Sequence, residues 1–286
     1  MLIPYHAANH TGLFAKEKRH FILVQISPPE ATVADARCLR RGYLDQNELQ
    51  RHVLVLGIPK IAERQMTQTL IIGASGGIGR ALIADLQEAG QDVVGLSRSG
   101  DGLDLTDEAS IIRVLGALDR QFDAIIVATG ALEIDAFKPE KSLRALDPAA
   151  LTAQFALNAI GPALVLKHAL RLIPKDRPAR FAALSARVAS IGDNALGGWY
   201  SYRAAKAALN QLIHSAAIEV ARSHPQAIVA LVHPGTVATG FGAAYIGTHP
   251  TVTPQIAAAN ILSVLGGLTP ADTGGFFDWA GKRISW

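Results

Sequence analysis

A short apolar run, Thr69 to Ile72, leads directly into Gly73-Ala74-Ser75-Gly76-Gly77-Ile78-Gly79-Arg80. No other feature of the chain constrains the fold as strongly. An apolar run stopped by glycines reads as a buried parallel strand. Ile78 to Ala89 follows with a helical pattern closed by Gly90. The junction is therefore strand, tight turn, helix. Gly73, Gly76, Gly77 and Gly79 would let the backbone turn and approach a pyrophosphate, with Ser75 and Ile78 beside it. The helix that follows offers free N–H groups and the positive end of its dipole to the anion. Two other motifs fit less well. A P-loop needs Gly-Lys-[Ser/Thr], and Gly79-Arg80-Ala81 does not supply it. Gly73-Ala74-Ser75-Gly76-Gly77 matches the hydrolase elbow G-x-S-x-G, but that elbow normally follows several strands, and only an irregular segment precedes this one.

The remaining pattern agrees with the junction. Strands are expected at Asp92–Leu96, Ala124–Ala128, Phe181–Leu184, Ile228–Val232 and Gly275–Trp279. Helices are expected at Ala109–Asp119, Ala149–Leu172, Tyr202–Ser223 and Pro254–Leu265, with a kink at Gly161-Pro162. Alternating strands and helices give an α/β fold, a single Rossmann-type doubly wound parallel sheet with helices on both faces. The domain is expected to span residues 66–286. Residues 1–65 read as a poorly ordered extension without a clear partner pattern. They hold Cys38 and all of the net charge of +3, since residues 66–286 carry 18 basic and 18 acidic side chains. The domain thus offers no basic footprint for a nucleic acid. One cysteine excludes a disulfide framework and a cysteine-based zinc site. No apolar run approaches the roughly 20 residues of a membrane span, and no secretory signal is evident. The expectation is a cytoplasmic protein with no nucleic-acid or membrane partner.

The strand Asp92–Leu96 runs into Ser97-Arg98-Ser99. An acid at this place would accept bonds from a ribose 2′-hydroxyl, whereas a base pairs with a 2′-phosphate. Arg98 can give charge-assisted bonds to phosphate and Ser97 can add another, which favours NADPH. Further along, Tyr202 and Lys206 stand four residues apart on one helix face. A phenol has a pKa near 10, and a neighbouring cation lowers it. Such a Tyr can protonate a carbonyl oxygen as hydride reaches the carbon.

In this order, Gly73 to Gly79, Asp104-Leu105-Thr106, Asn158, Tyr202…Lys206 and Pro234-Gly235-Thr236-Val237-Ala238-Thr239 resemble the short-chain dehydrogenase/reductase family over about residues 68–286. The stretch Ser185 to Asn210 and the ending Gly275 to Trp286 are similar to its C-factor and sniffer-type carbonyl reductase branch. The resemblance implies an NADP(H)-dependent oxidoreductase acting on a small carbonyl or alcohol. Tyr202 would be the general acid/base. Lys206 would hold the nicotinamide ribose and depress the Tyr202 pKa. Asn158 would position a water relaying protons to Lys206. Asp104 and Leu105 would meet the adenine. Ala128 and Gly130 would line the cofactor path, and Pro234, Gly235, Val237 and Thr239 would contact nicotinamide and pyrophosphate. The family also implies a homodimer or homotetramer.

Three departures from the family pattern stand out. Val127-Ala128-Thr129-Gly130 replaces the family's Asn-Asn-Ala-Gly. The substrate-orienting Ser is usually the later of a Ser-Ser pair, and here the pair is Ser185-Ala186. Ser185 is the first candidate for that role, Ser190 the second, and a missing donor the third. Arg203, after Tyr202, is either solvated or narrows the pocket. Phe241 to Thr253 would form a short substrate lid. The departures leave a second function open, an NADP(H)-binding sensor with little turnover.

Overall fold

The computed structural model describes residues 67–241, 245 and 250–286. The reading of residues 1–65 as an extension lies outside them, as does most of the expected lid.

Six strands form one parallel sheet. They are β1 (Gln68–Ile72), β2 (Asp92–Leu96), β3 (Ala124–Val127), β4 (Ala179–Leu184), β5 (Ala227–Val232) and β6 (Phe276–Phe277). The order across the sheet is β2-β1-β3-β4-β5-β6. The helices are α1 (Gly77–Glu88), α2 (Arg98–Asp101), α3 (Glu108–Gly116), α4 (Pro148–Phe155), α5 (Gly161–Ala169), α6 (Tyr200–Ser223) and α7 (Pro254–Gly267).

The central strands β3, β4 and β5 are buried throughout, and all but Arg180 of their residues are apolar, because both faces are covered. Alternate residues go to opposite cores. Ile72, Ile125, Val127, Phe181, Val229 and Leu231 pack with Ile111 and Leu115 of α3, Val165 of α5 and Leu209, Ile213 and Ala217 of α6. Ile71, Ile126, Ala182, Ala230 and Val232 pack with Leu82 and Leu86 of α1 and Ala258, Ile261 and Leu265 of α7. The expected doubly wound sheet is therefore the fold observed.

The expected kinked helix divides in two. Between α4 and α5 the chain makes a wider turn over Ala156–Ile160, in which the Gly161 N–H reaches back five residues to the Ala156 carbonyl. Pro162 has no N–H, so the Asn158 carbonyl loses its usual helical donor and the wider turn absorbs the mismatch. Gly161 also lies against Leu105, where a Cβ would come within 2.6 Å of the Leu105 carbonyl oxygen. Pro148–Leu172 is long and apolar enough to cross a membrane by length and composition. In the fold it is interrupted, and Asn158, Ala159, Val165, Leu166 and Ala169 are buried against the protein itself.

β1 connects to β2 on one side and neighbours β3 on the other. Such a reversal opens a crevice at the carboxyl ends of the strands, where ligands of open α/β sheets bind.

Candidate active site

The glycine loop sits in this crevice. Gly73 has a φ of +95°, which side chains other than glycine rarely tolerate. A Cβ there would also lie 2.9 Å from the Ala128 carbonyl oxygen. A Cβ on Gly79 would lie 2.1 Å from the Gly73 carbonyl oxygen, so only glycine lets α1 close on the turn. The amino end of α1 has no side-chain cap and no acid in its first turn. The Arg80 guanidinium donates to the Ser75 carbonyl and braces the turn from outside. From the other side, Thr239 closes over Gly77, where a Cβ would meet its methyl at 2.7 Å. Thr236 and Ala238 are held by Val252, whose N–H donates to the Thr236 carbonyl and whose carbonyl accepts from Ala238. The loop thus lies between two chain segments and presents free N–H groups to an anion. A dinucleotide pyrophosphate fits this cradle.

Arg98 opens the short helix α2 and is exposed; the sequence pattern did not show this helix. Ser97 is its cap. The Ser97 hydroxyl accepts the Gly100 N–H at 3.0 Å and faces the Asp101 carboxylate, which also accepts the Ser97 N–H at 2.8 Å. The Ser97 hydroxyl thus caps the helix as an acceptor, and with Asp101 3.4 Å away its own proton is left for a second partner beside Arg98. Thr106, donating to Asp104 through both its hydroxyl and its N–H, lowers the Asp104 pKa, and the nearby Arg98 adds to the effect.

Three side chains converge over Gly130. A Cβ built there would lie 2.9 Å from Asn158 Oδ1, 3.5 Å from Lys206 Nζ and 3.7 Å from the Phe241 ring. The Asn158 side chain is fully buried. It accepts the Ala131 N–H at 3.2 Å and donates to the Ala131 carbonyl at 2.9 Å and to Gln154 Oε1 at 2.6 Å. It therefore fixes the floor of the site with its amide, leaving its main-chain carbonyl as the group short of a donor. Lys206 donates to the Leu184 carbonyl at 2.8 Å, at the end of β4.

Burial pushes the Lys206 ammonium down to about 7. The same burial pushes the Tyr202 phenol well above its ordinary value. The direction is opposite to the lowering expected from Lys206: burial is the cause that acts on Tyr202, and desolvation disfavours the charged form of each group.

Aromatic rings surround the phenol. Trp199 and Phe241 meet Tyr202 edge to face at 6.4 and 6.0 Å, and Tyr245 meets Trp199 at 5.9 Å. The Tyr245 hydroxyl donates to Glu133. Arg203 neither lines the pocket nor dissolves in solvent. It donates to the Gly198 carbonyl at 3.0 Å and the Val188 carbonyl at 3.3 Å, tying the loop after β4 to α6.

Ser185 is placed differently from expectation. Its hydroxyl donates to Asn210 Oδ1 at 2.7 Å. Asn210 lies eight residues beyond Tyr202 on α6, a rise of about 12 Å. Asn210 Nδ2 has no partner among the described residues. The bond commits the Ser185 hydroxyl proton to Asn210, so in this arrangement the hydroxyl offers no proton to a substrate oxygen. Ser190 is buried and accepts the Asp193 N–H at 3.2 Å. Ser185→Ala is therefore expected to change turnover less than about tenfold, compared with the 10²–10³-fold typical of losing a dedicated oxyanion donor. Steady-state kinetics of the variant would check this.

A family model for short chain dehydrogenases matches residues 67–247. The chain belongs to the short-chain dehydrogenase family. It is 30% identical over 241 residues to 1-hydroxy-2-glutathionyl-2-methyl-3-butene dehydrogenase of Rhodococcus sp. (strain AD45), covering 77% of this chain and 100% of that protein. It is 33% identical over 142 residues to C-signal of Myxococcus xanthus, covering 49% and 81%. The fold matches the carbonyl reductase Sniffer of D. melanogaster with a TM-score of 0.67 at 20% identity, covering 78% of this chain and all of that one. A short-chain dehydrogenase/reductase from Burkholderia multivorans with bound NADP matches at 0.66 and 26%, with the same coverage. The C-factor and sniffer-type resemblance of the sequence agrees with these relatives. As a short-chain dehydrogenase the chain is an oxidoreductase.

The sequence reading missed Glu140, which lies in no motif and meets the site only through the fold, and it gave no role to Asn210. Trp199, near Tyr202 in the sequence, reads as either a pocket wall or a packing aromatic, and it stands against the Tyr202 ring.

Proposed function

We propose that the chain is an NADPH-dependent carbonyl reductase in which Tyr202 is the proton donor. The observation that carries this reading is the convergence of Lys206 Nζ and Asn158 on Gly130, one helical turn from Tyr202. The nicotinamide, when bound, supplies the hydride. The N–H groups at the head of α1, with Gly73, Gly76, Gly77 and Thr239, hold the pyrophosphate, and Arg98 pairs with the 2′-phosphate. Lys206 orients the nicotinamide ribose. As the carbonyl carbon gains hydride, its oxygen takes the Tyr202 proton, leaving an alcohol and a phenolate. Lys206 in its charged form stabilises that phenolate. A water held on the Asn158 carbonyl would relay a proton from bulk solvent by way of Lys206 to restore the phenol. Trp199, Phe241 and Tyr245 favour a carbonyl compound with an apolar substituent. The bound NADP of the Burkholderia protein and the carbonyl reductase activity named for Sniffer support this reading.

Titration by calorimetry with NADPH and NADH tests it. NADPH is expected to bind at least about tenfold tighter, because a charge-assisted phosphate contact is among the stronger hydrogen bonds. Arg98→Ala is expected to erase that preference while leaving NADH binding unchanged. Equal binding of both cofactors by the wild type would overturn the Arg98 assignment.

A further inference from the structure

We infer that Glu140, far from every sequence motif, is a positioning residue for Tyr202. This rests on the reading of Tyr202 as the reacting acid. α6 begins without a cap of its own. Trp199 stands at the capping position with φ +51° and ψ +42°, and its side chain bonds to no N–H of the helix. A bulky residue in this left-handed region is strained and persists only where its surroundings hold it.

Glu140 supplies the hold from 61 residues away. Its carboxylate accepts the Ser201 N–H at 3.2 Å and the Ser201 hydroxyl. Its own carbonyl accepts the Trp199 N–H at 2.6 Å. Glu140 and Ser201 are both buried, at 5% and 2% exposure. A carboxylate at a helix amino terminus satisfies N–H groups that have no helical acceptor and complements the dipole. Side-chain capping normally comes from the residue beside the helix. Here it comes from the long loop after β3, whose other end carries Gly130 and the Ala131–Asn158 bonds.

The consequence concerns the reaction. Tyr202 is the residue after Ser201, in the first turn of α6, and first turns fray when uncapped. Trp199, held by the same Glu140, forms one wall against the Tyr202 ring. Glu140 therefore sets where the phenol stands relative to the floor at Gly130. Misplacement by about 1 Å can cost 10²-fold in rate.

The test combines turnover with hydrogen exchange in Glu140→Ala and Glu140→Gln. Glu140→Ala is expected to lower kcat about 10- to 100-fold, with NADPH affinity within twofold of wild type. Backbone exchange across residues 199–204 is expected to rise. Glu140→Gln keeps one acceptor for Ser201 and is expected to recover part of both. Ser201→Ala, which retains the backbone bond, is expected to fall between Glu140→Gln and wild type; it also serves if Glu140→Ala does not fold. Raised exchange with kcat unchanged would reduce Glu140 to a stabilising cap and overturn the inference. Unchanged exchange and unchanged kcat would also overturn it. Failure of the wild type to reduce any carbonyl would overturn the reductase reading instead, and the exchange measurement would still decide whether Glu140 holds the first turn.

Discussion

Tyr202→Phe is expected to lower carbonyl reduction by at least about 10³-fold while leaving NADPH binding within twofold of wild type. In the proposed reading the phenol is the group that gives a proton to the carbonyl oxygen, and positioned proton donors contribute roughly 10²–10⁴-fold. Phenylalanine keeps the ring, and with it the edge-to-face contacts to Trp199 and Phe241. The fold and the cofactor cradle should therefore survive. The loss would appear in kcat rather than in the cofactor dissociation constant. Burial raises the phenol pKa, so the resting enzyme holds the proton that reduction needs. NADPH oxidation against a panel of aldehydes and ketones, with cofactor affinity measured in parallel, checks the prediction. A variant that kept a tenth of the activity would remove Tyr202 from the mechanism. Wild type and variant that bind NADPH equally and are both inert across the panel would instead favour the sensor reading.

The parts legible in the sequence are those that local chemistry dictates. Thr69 to Gly79 announced a strand, a turn and a helix because glycines are required wherever backbones crowd. Tyr202 and Lys206 were legible because helical spacing fixes which side chains share a face. The sheet followed from alternation. The residues that escaped notice depend on distant partners. The bond from the Ser185 hydroxyl to Asn210 comes only from the fold. So does the second role of Ser97, as the cap of a four-residue helix. Glu140 looked like one acid among many in a loop. Its role comes from meeting a helix end that lacks a local cap, and nothing in a 61-residue separation signals that meeting. The protonation of Tyr202 was misjudged for a related reason. Helical spacing reveals the neighbouring cation, but only the packed structure shows how fully both groups are withdrawn from water.

That withdrawal makes Lys206 a cost to the fold, and Lys206→Met should expose it. Lys206 is 2% exposed, its one bond is to the Leu184 carbonyl, and its pKa is pushed down to about 7. The unfolded chain holds the same proton up to about 10.4. Between these values the unfolded state binds a proton that the folded state does not, so stability rises with pH across this window. The penalty is complete below about 7 and gone above about 10.4. Methionine fills a similar volume without a charge to desolvate, at the loss of one hydrogen bond. Without cofactor, Lys206→Met is therefore expected to melt several degrees above wild type at pH 6.5, and the gap is expected to narrow steadily toward pH 9.5. The same variant is expected to lose about 10²-fold or more in turnover, since nothing would stabilise the Tyr202 phenolate or orient the ribose. Thermal unfolding of both proteins across this pH range, beside their kinetics, tests the two halves together. A gap that stayed constant with pH would mean that Lys206 keeps its proton in the folded protein. The site would then hold a standing cation, and the raised phenol pKa would have to be reconsidered with it.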